Sequence, residues 1–456
     1  MQQKGIVVML LFIVNYFLNL QKKQFFLRRA KEIEVNDIPD FKIKLLKWAQ
    51  SYSEVTWLDS NQCSQAYSNF DAVLAVDAFT SLQTGFDQAF DQLHDYHLKT
   101  SDWIFGYLSY DLKNNLEDLE SSNFDGLRFP ELFFFQPKKL FFFKNSAVTI
   151  QYLDCVFKEM DNDLFQIKNA ATSTFNGIKH NALKIKPRVS QQDYIDLIHK
   201  LKLHIQRGDI YEANFCQEFY ANGEIDPLLT FERLQDLSLP PFAVFFKNKS
   251  HFLLSASPER YLKKEGNLLI SQPIKGTAAR SSNATEDLNL KNNLLADPKE
   301  RSENVMIVDL VRNDLSRIAK KGSVLVEELH AIYSFKQVHH LISTIKAELR
   351  PEISAVDAIC ASYPMGSMTG APKISAMKII ENLECSKRGL YSGSVGYFTP
   401  DGNFDFNVVI RSILYNAKTS YVSLSVGSAI TAKSVPEKEY EECLIKAKAL
   451  IEVLEN

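Results

Sequence analysis

The chain has 456 residues, 45% hydrophobic and 23% charged, the balance of a folded globular protein. Its 52 Lys and Arg against 55 Asp and Glu give a net charge of −3, without the concentrated basic surface of a dedicated nucleic-acid binder. Only 17 Gly and 15 Pro stand beside 32 Phe and 18 Tyr, which excludes collagen-like and disordered classes and leaves material for a large core.

In chain order, residues 6–18 read IVVMLLFIVNYFL. The run is shorter than the ~20 apolar residues that cross a bilayer, and no small-residue cleavage site follows it. It is a buried segment, a weak anchor, or an upstream extension of a cytoplasmic protein. We take residues 1–27 as such an extension and expect no membrane association. Residues 28–165 read as an N-terminal subdomain of aromatic strands and helices, with alternation at 70–79 and a strand entering a turn at 103–112. The stretch 131–153 reads as two or three strands joined by QPKK and KNSA. The segment 160–187 is polar and irregular, and a second domain is expected over 185–455.

Ser190 and Asp193 form an S-x-x-D cap for a helix whose apolar positions run through Ile195, Ile198, Leu201 and Ile205 to Gly208. A β meander follows at 242–246, 252–262 and 267–274. Asp297 as N-cap, Pro298 and Gly322 bracket a helix over about 298–320, and another runs from Pro372 through Leu383. Strands at 406–414 and 421–429 precede a last helix from Pro436. Strands and helices do not alternate strictly, so the class is α+β with antiparallel sheets. The six cysteines (63, 155, 216, 360, 385, 443) contain no CxxC pair and read as reduced thiols.

Four groups of residues could carry chemistry. Glu300 and Glu303 share one helix face, and Glu439 and Glu442 repeat the spacing on the last helix. Four converging carboxylates would suit Mg²⁺, although Glu300 also fits a capping role behind Asp297 and helix carboxylates are usually just solvated. Arg411 sits in the apolar run FNVVIRSIL, where a buried guanidinium needs an anion. The small residues Gly427, Ser428 and Ala429 on the next strand would let a ligand approach the backbone. Lys275 in PIKGT follows an apolar strand, and desolvation there would lower its pKa and make it a nucleophile; a surface lysine is the plainer reading. Folding the meander about Gly266 would bring Glu259 towards Lys275 as a salt bridge or a general acid. GSMTGAPK (366–373) opens a helix without Walker A spacing, and His339 and His340 lie in an apolar stretch.

Taken in order, RGDIYEANF, SPER, PIKGT, KERSENVMIVDLVRNDL, YPMGSMTGAPK, RGLYSGSVGYF and PEKEYEECLIKAKAL resemble the chorismate-utilising enzymes. That family includes anthranilate synthase component I, aminodeoxychorismate synthase component I and the isochorismate synthases. The resemblance is dense over about 190–453 and looser over about 30–160. It implies the anthranilate-synthase-component-I-like fold, two large antiparallel sheets flanked by helices, with a chorismate-binding catalytic domain at 185–455. PIKGT is the motif of the aminodeoxychorismate branch, whereas anthranilate synthases usually carry Ala at the Lys275 position. Glu212 stands where amine-using members usually have Gln and isochorismate synthases a lysine. Gly427-Ser428-Ala429 replaces the family's GAG, and Ser367 stands where many members have Thr.

By that resemblance Glu303 and Glu442 would ligate Mg²⁺ directly, and Glu300 and Glu439 through water. Gly276, Thr277, Ser367, Tyr391, Arg411 and the backbone at Gly427, Ser428 and Ala429 would hold chorismate. Lys446 would add positive charge, and His340 would lie near the leaving groups. Neutral Lys275 would attack ring C2 while Glu259 protonates the departing hydroxyl, and ammonia would then displace the lysine to give 4-amino-4-deoxychorismate. No glutaminase nucleophile elbow occurs in the sequence, so a separate glutamine amidotransferase subunit is the expected ammonia source. Anthranilate formation is the runner-up activity. A catalytically inactive binding subunit is the third, and it conflicts with retention of Lys275 and all four glutamates.

Overall fold

The computed structural model describes residues 27–63, 67–170, 182–335 and 338–455. The apolar run at 6–18 lies outside the described residues. Among these, no helix is long and apolar enough to cross a membrane, and all six cysteines are free.

The strands form two antiparallel sheets joined by a shared pair. In the first, Arg28–Glu34 pairs with Ala147–Leu153, which pairs with the 139–144 half of Leu132–Lys144. The order continues through the 72–76 half of Ala72–Thr84, then Glu54–Asp59, Phe242–Asn248, His251–Ser257, Ser412–Asn416, Tyr421–Ile430 and Glu212–Asn222. The second sheet starts from the other halves of the same long strands. It runs through Ile104–Leu108, Ser394–Phe398, Phe404–Val408, Arg260–Glu265 and Leu268–Gln272 to Val338–Glu348, which also pairs with Ile274–Ala279 and Leu325–Ser334.

Three sequence expectations change here. QPKK makes no turn: Leu132–Lys144 is one strand, and Pro137 falls opposite Ala78 beside a register shift between Ala78 and Thr80. A bulge there tolerates a residue without an N–H. The expected strand 252–262 is broken at Pro258-Glu259, so that His251–Ser257 belongs to the first sheet and Arg260–Glu265 to the second. The expected strand 406–414 breaks in the same way, into Phe404–Val408 and Ser412–Asn416, with Arg411 at φ +51° in the gap.

Period-two alternation sorts the side chains into two cores. Val73, Ala75, Val244 and Phe246 face the space between the sheets, where they meet Phe105, Leu262 and Phe406. Ala72, Leu74, Ala243 and Phe245 face outward under helices, packing with Leu45, Ile198, Phe231 and Leu450. Each large apolar side chain buried this way is worth about 1.5–3 kcal/mol. The helices Gln191–Arg207 and Pro436–Glu455 lie on the outer face, while Pro298–Ser316 packs on the far part of the second sheet.

Candidate active site

The two strand breaks place their residues at one spot. Glu259 follows Ser257 where the chain leaves the first sheet, and Arg411 precedes Ser412 where the adjacent strand crosses back. Glu259 is only 4% exposed. Burial pushes its carboxyl up to about 7, with the Ser367 hydroxyl, Lys275 and the Ile274 N–H opposing. Burial pulls the Arg411 guanidinium below its ordinary range, and no carboxylate among the described residues pairs with it. A desolvated guanidinium with no carboxylate partner among the described residues is suited to receive an anion.

Lys275 lies on Ile274–Ala279, with Nζ 3.2 Å from Glu212 Oε1. The sequence expectation of a lowered pKa is overturned. Burial pulls the amine down, but Glu212, Glu303 and Glu259 outweigh it and raise the pKa above the ordinary value. Gly276, at φ +92°, carries the chain past Glu300: a Cβ there would lie 3.1 Å from Glu300 Oε2 and 3.2 Å from Leu294 and Leu341. Thr277 sits opposite His340, its hydroxyl 2.9 Å from Nδ1. Burial and the nearby Arg411 drive His340 down to about 3, so it is neutral.

The four helix carboxylates line the same region. The Asp297 side chain caps the N–H groups of Lys299 and Glu300, which fixes the start of Pro298–Ser316. Burial pushes Glu303 up to about 7 against the pull of Lys275 and Lys299, and Glu300 is raised as well. Burial also acts on Glu442, but Lys446, 2.7 Å away, outweighs it and holds the carboxyl below its usual range. The Lys299 ammonium spans Glu303 (3.8 Å) and Glu439 (3.6 Å) across the two helices. As the side chains stand, no three carboxyl, imidazole or thiol groups among the described residues gather closely enough for a metal ion. Lys299 and Lys446 instead pair with these carboxylates, Lys299 with Glu303 and Glu439 and Lys446 with Glu442.

Gly427, Ser428 and Ala429 lie on Tyr421–Ile430 opposite Cys216, Phe215 and Asn214. A Cβ at Gly427 would sit 2.6 Å from Cys216 Sγ and 3.0 Å from the Phe215 carbonyl oxygen, so a larger residue there would have to displace its neighbours. The Gly427 carbonyl accepts a hydrogen bond from Lys446 at 2.9 Å. Ser367, in the turn Gly366–Met368, is buried beside Glu259. Tyr391 is buried with its hydroxyl 3.8 Å from Cys216 Sγ.

A model of the chorismate binding enzymes matches residues 53–452. The chain belongs to this family. It is 36% identical over 78% of its length to an anthranilate synthase component I-like protein of Synechocystis, 73% of which is covered. It is 42% identical over 58% of its length to the chloroplastic aminodeoxychorismate synthase of Arabidopsis thaliana, covering 29% of that longer chain. The structure of anthranilate synthase component I from Streptococcus pneumoniae superposes with a TM-score of 0.75 at 25% identity, over 85% of this chain and 93% of the other.

Two features of this chorismate binding enzyme escaped the sequence reading. Lys299 bridges the glutamate pairs, and its i,i+4 spacing to Glu303 was the available signal. The helix Ala284–Ala296 packs Leu294 against Gly276, but its exposed Leu288 and Leu295 blur the apolar face.

Proposed function

We propose that the chain is the aminating component of aminodeoxychorismate synthase, converting chorismate and ammonia to 4-amino-4-deoxychorismate for p-aminobenzoate and folate synthesis in the cytoplasm. The observation that supports this branch is Lys275 beside Glu259, an amine and a buried carboxyl raised to about 7, next to a guanidinium with no carboxylate partner among the described residues. Arg411 binds a substrate carboxylate. Lys275 attacks ring C2, and Glu259 gives its proton to the C4 hydroxyl, which leaves as water. Ammonia then forms the C4–N bond as the C2–N bond to lysine breaks. Splitting one displacement into two lowers each barrier.

The donor chemistry fits Mg²⁺. Glu303 Oε1 and Glu439 Oε2 are buried without hydrogen-bond partners among the described residues, and carboxylate oxygens are its preferred ligands. Glu303 and Glu442 would hold it directly, and Glu300 and Glu439 through water, once Lys299 and Lys446 swing aside. Bound Mg²⁺ would supply a counter-charge for the ring carboxylate. Ammonia comes from a separate glutamine amidotransferase subunit, so the isolated chain uses ammonium salts and not glutamine.

The test is product identity. With chorismate, Mg²⁺ and ammonium, aminodeoxychorismate is the expected product. Without ammonium, intact-protein mass spectrometry should show a gain of chorismate minus one water, mapped to Lys275 and absent in Lys275→Ala. Anthranilate as product, with Lys275 unmodified, would sink this reading and promote the anthranilate synthase one, which the likeness to the Synechocystis protein favours.

A further inference from the structure

An ammonium nitrogen has no lone pair, so Lys275 must give up a proton before its nitrogen can form a bond, and Glu212 lies 3.2 Å from that nitrogen. Five carboxylates face it: Glu212, Glu303 and Glu259 most strongly, then Glu300 and Glu442. Four already have work in the proposed reaction. Glu259 must arrive protonated for the leaving hydroxyl, and Glu300, Glu303 and Glu442 belong to the cation's side of the site. Glu212 remains. It stands at the start of Glu212–Asn222, held between Gly370–Ala371 and Tyr421–Ile430, and is 1% exposed. Its Oε1 lies 3.2 Å from Lys275 Nζ, while its Oε2 is buried with no hydrogen-bond partner among the described residues. A buried carboxylate with one free oxygen, touching the attacking nitrogen, has an unused capacity to take a proton.

We propose that Glu212 is the internal proton acceptor that frees Lys275 for attack and returns the proton when the lysine leaves. This rests on the covalent reading above. One proton moves from Nζ to a Glu212 oxygen, leaving a neutral amine and a neutral acid. Removing two buried charges at once is favourable when substrate closes the site to water. The amine's lone pair forms the bond to C2, and the C4–O bond breaks with the Glu259 proton going to the departing water. Ammonia bonds to C4 and the C2–N bond breaks, its electron pair returning to lysine. The surplus proton on the new C4 ammonium goes to Glu259, and Glu212 returns its proton to Lys275. Chorismate and ammonia become aminodeoxychorismate and water, with both acids restored.

The experiment measures the rate of Lys275 adduct formation in single turnover with chorismate and Mg²⁺, without ammonium, across the neutral pH range. In Glu212→Gln the proton must leave to solvent. The adduct rate should fall about 10²-fold near neutrality, and its ratio to the wild-type rate should rise about tenfold per pH unit. Taking the ratio cancels the shared dependence on Glu259. Glu212→Asp keeps an internal acceptor and should show a flat ratio at a reduced rate, which also serves if the Gln variant does not fold. A flat ratio in Glu212→Gln at the wild-type rate, or a rising one in Glu212→Asp, overturns the role of Glu212 while wild-type adduct formation upholds the covalent reading. A wild-type enzyme that forms no adduct overturns the covalent reading itself, whether or not it makes aminodeoxychorismate.

Discussion

Arg411 and Glu259 each carry a desolvation cost that the fold does not recover. A largely desolvated guanidinium with no anion partner among the described residues is destabilising, and under the proposed function its benefit comes only with substrate. Arg411→Ala should therefore raise KM for chorismate by about 10²-fold, matching the ~3 kcal/mol upper range for a hydrogen bond to a charged group, while leaving Tm unchanged or higher. A lower Tm would mark Arg411 as a structural residue. Glu259 allows a test with a definite sign. Its carboxyl is raised from 4.5 to about 7 in the folded chain. The folded state then binds the proton more tightly than the unfolded state, so stability falls as pH rises from about 4.5 to about 7. Glu259→Gln cannot ionise and escapes that loss. Its Tm should gain on the wild type as pH is raised through this window and hold the gain above it, although turnover is lost. A Tm difference that does not change with pH would show that Glu259 ionises normally.

At the scale of elements, the sequence revealed what is locally encoded. Ser190 accepts from the Asp193 N–H, Asp297 caps its helix, and Gly208 ends another at φ +85°, each as its residue type requires. The glutamate pairs and PIKGT were legible as spacing and motif. The crossings at Pro258-Glu259 and at Arg411 were not. Both halves of each run are buried, one in each sheet, so the apolar pattern continues through the break, and Arg411 adopts φ +51° without a glycine to announce it. The raised pKa of Lys275 escaped for a related reason, since the flanking sequence shows apolar neighbours but not Glu212, 63 residues away in the chain. Gly276 tests the same link between backbone and site. Its φ of +92° and the 3.1–3.2 Å limits on a Cβ leave little room for alanine. Gly276→Ala should cost about 1 kcal/mol or more in stability and reduce adduct formation by displacing Lys275. Unchanged adduct kinetics would mean that the strand absorbs the strain elsewhere.

At the scale of the molecule, the site exists only while both sheets are in register. Glu212 and the 427–429 backbone come from the first sheet, and Lys275 and His340 from the second. The sheets are joined through Ala72–Thr84 and Leu132–Lys144, whose two halves pair into different sheets. Disturbing one sheet should therefore dismantle the site without touching it. Gly106 offers the means. It lies on Ile104–Leu108 with Gly396 on one side and Phe134 on the other, and a Cβ there would fall 2.0 Å from the Phe133 carbonyl oxygen and 2.7 Å from Phe134 Cα. Backbone cannot yield as a side-chain tip can, so Gly106→Ala must spread the strands, at about 1–3 kcal/mol by analogy with overpacked cores. Urea titrations of this variant and the wild type, followed by far-UV circular dichroism and by adduct formation, should each give one transition common to both probes, shifted to lower urea in the variant. Adduct formation lost well before the circular dichroism changes would mean that the second sheet opens on its own. The shared strands would then be a hinge between two folding units.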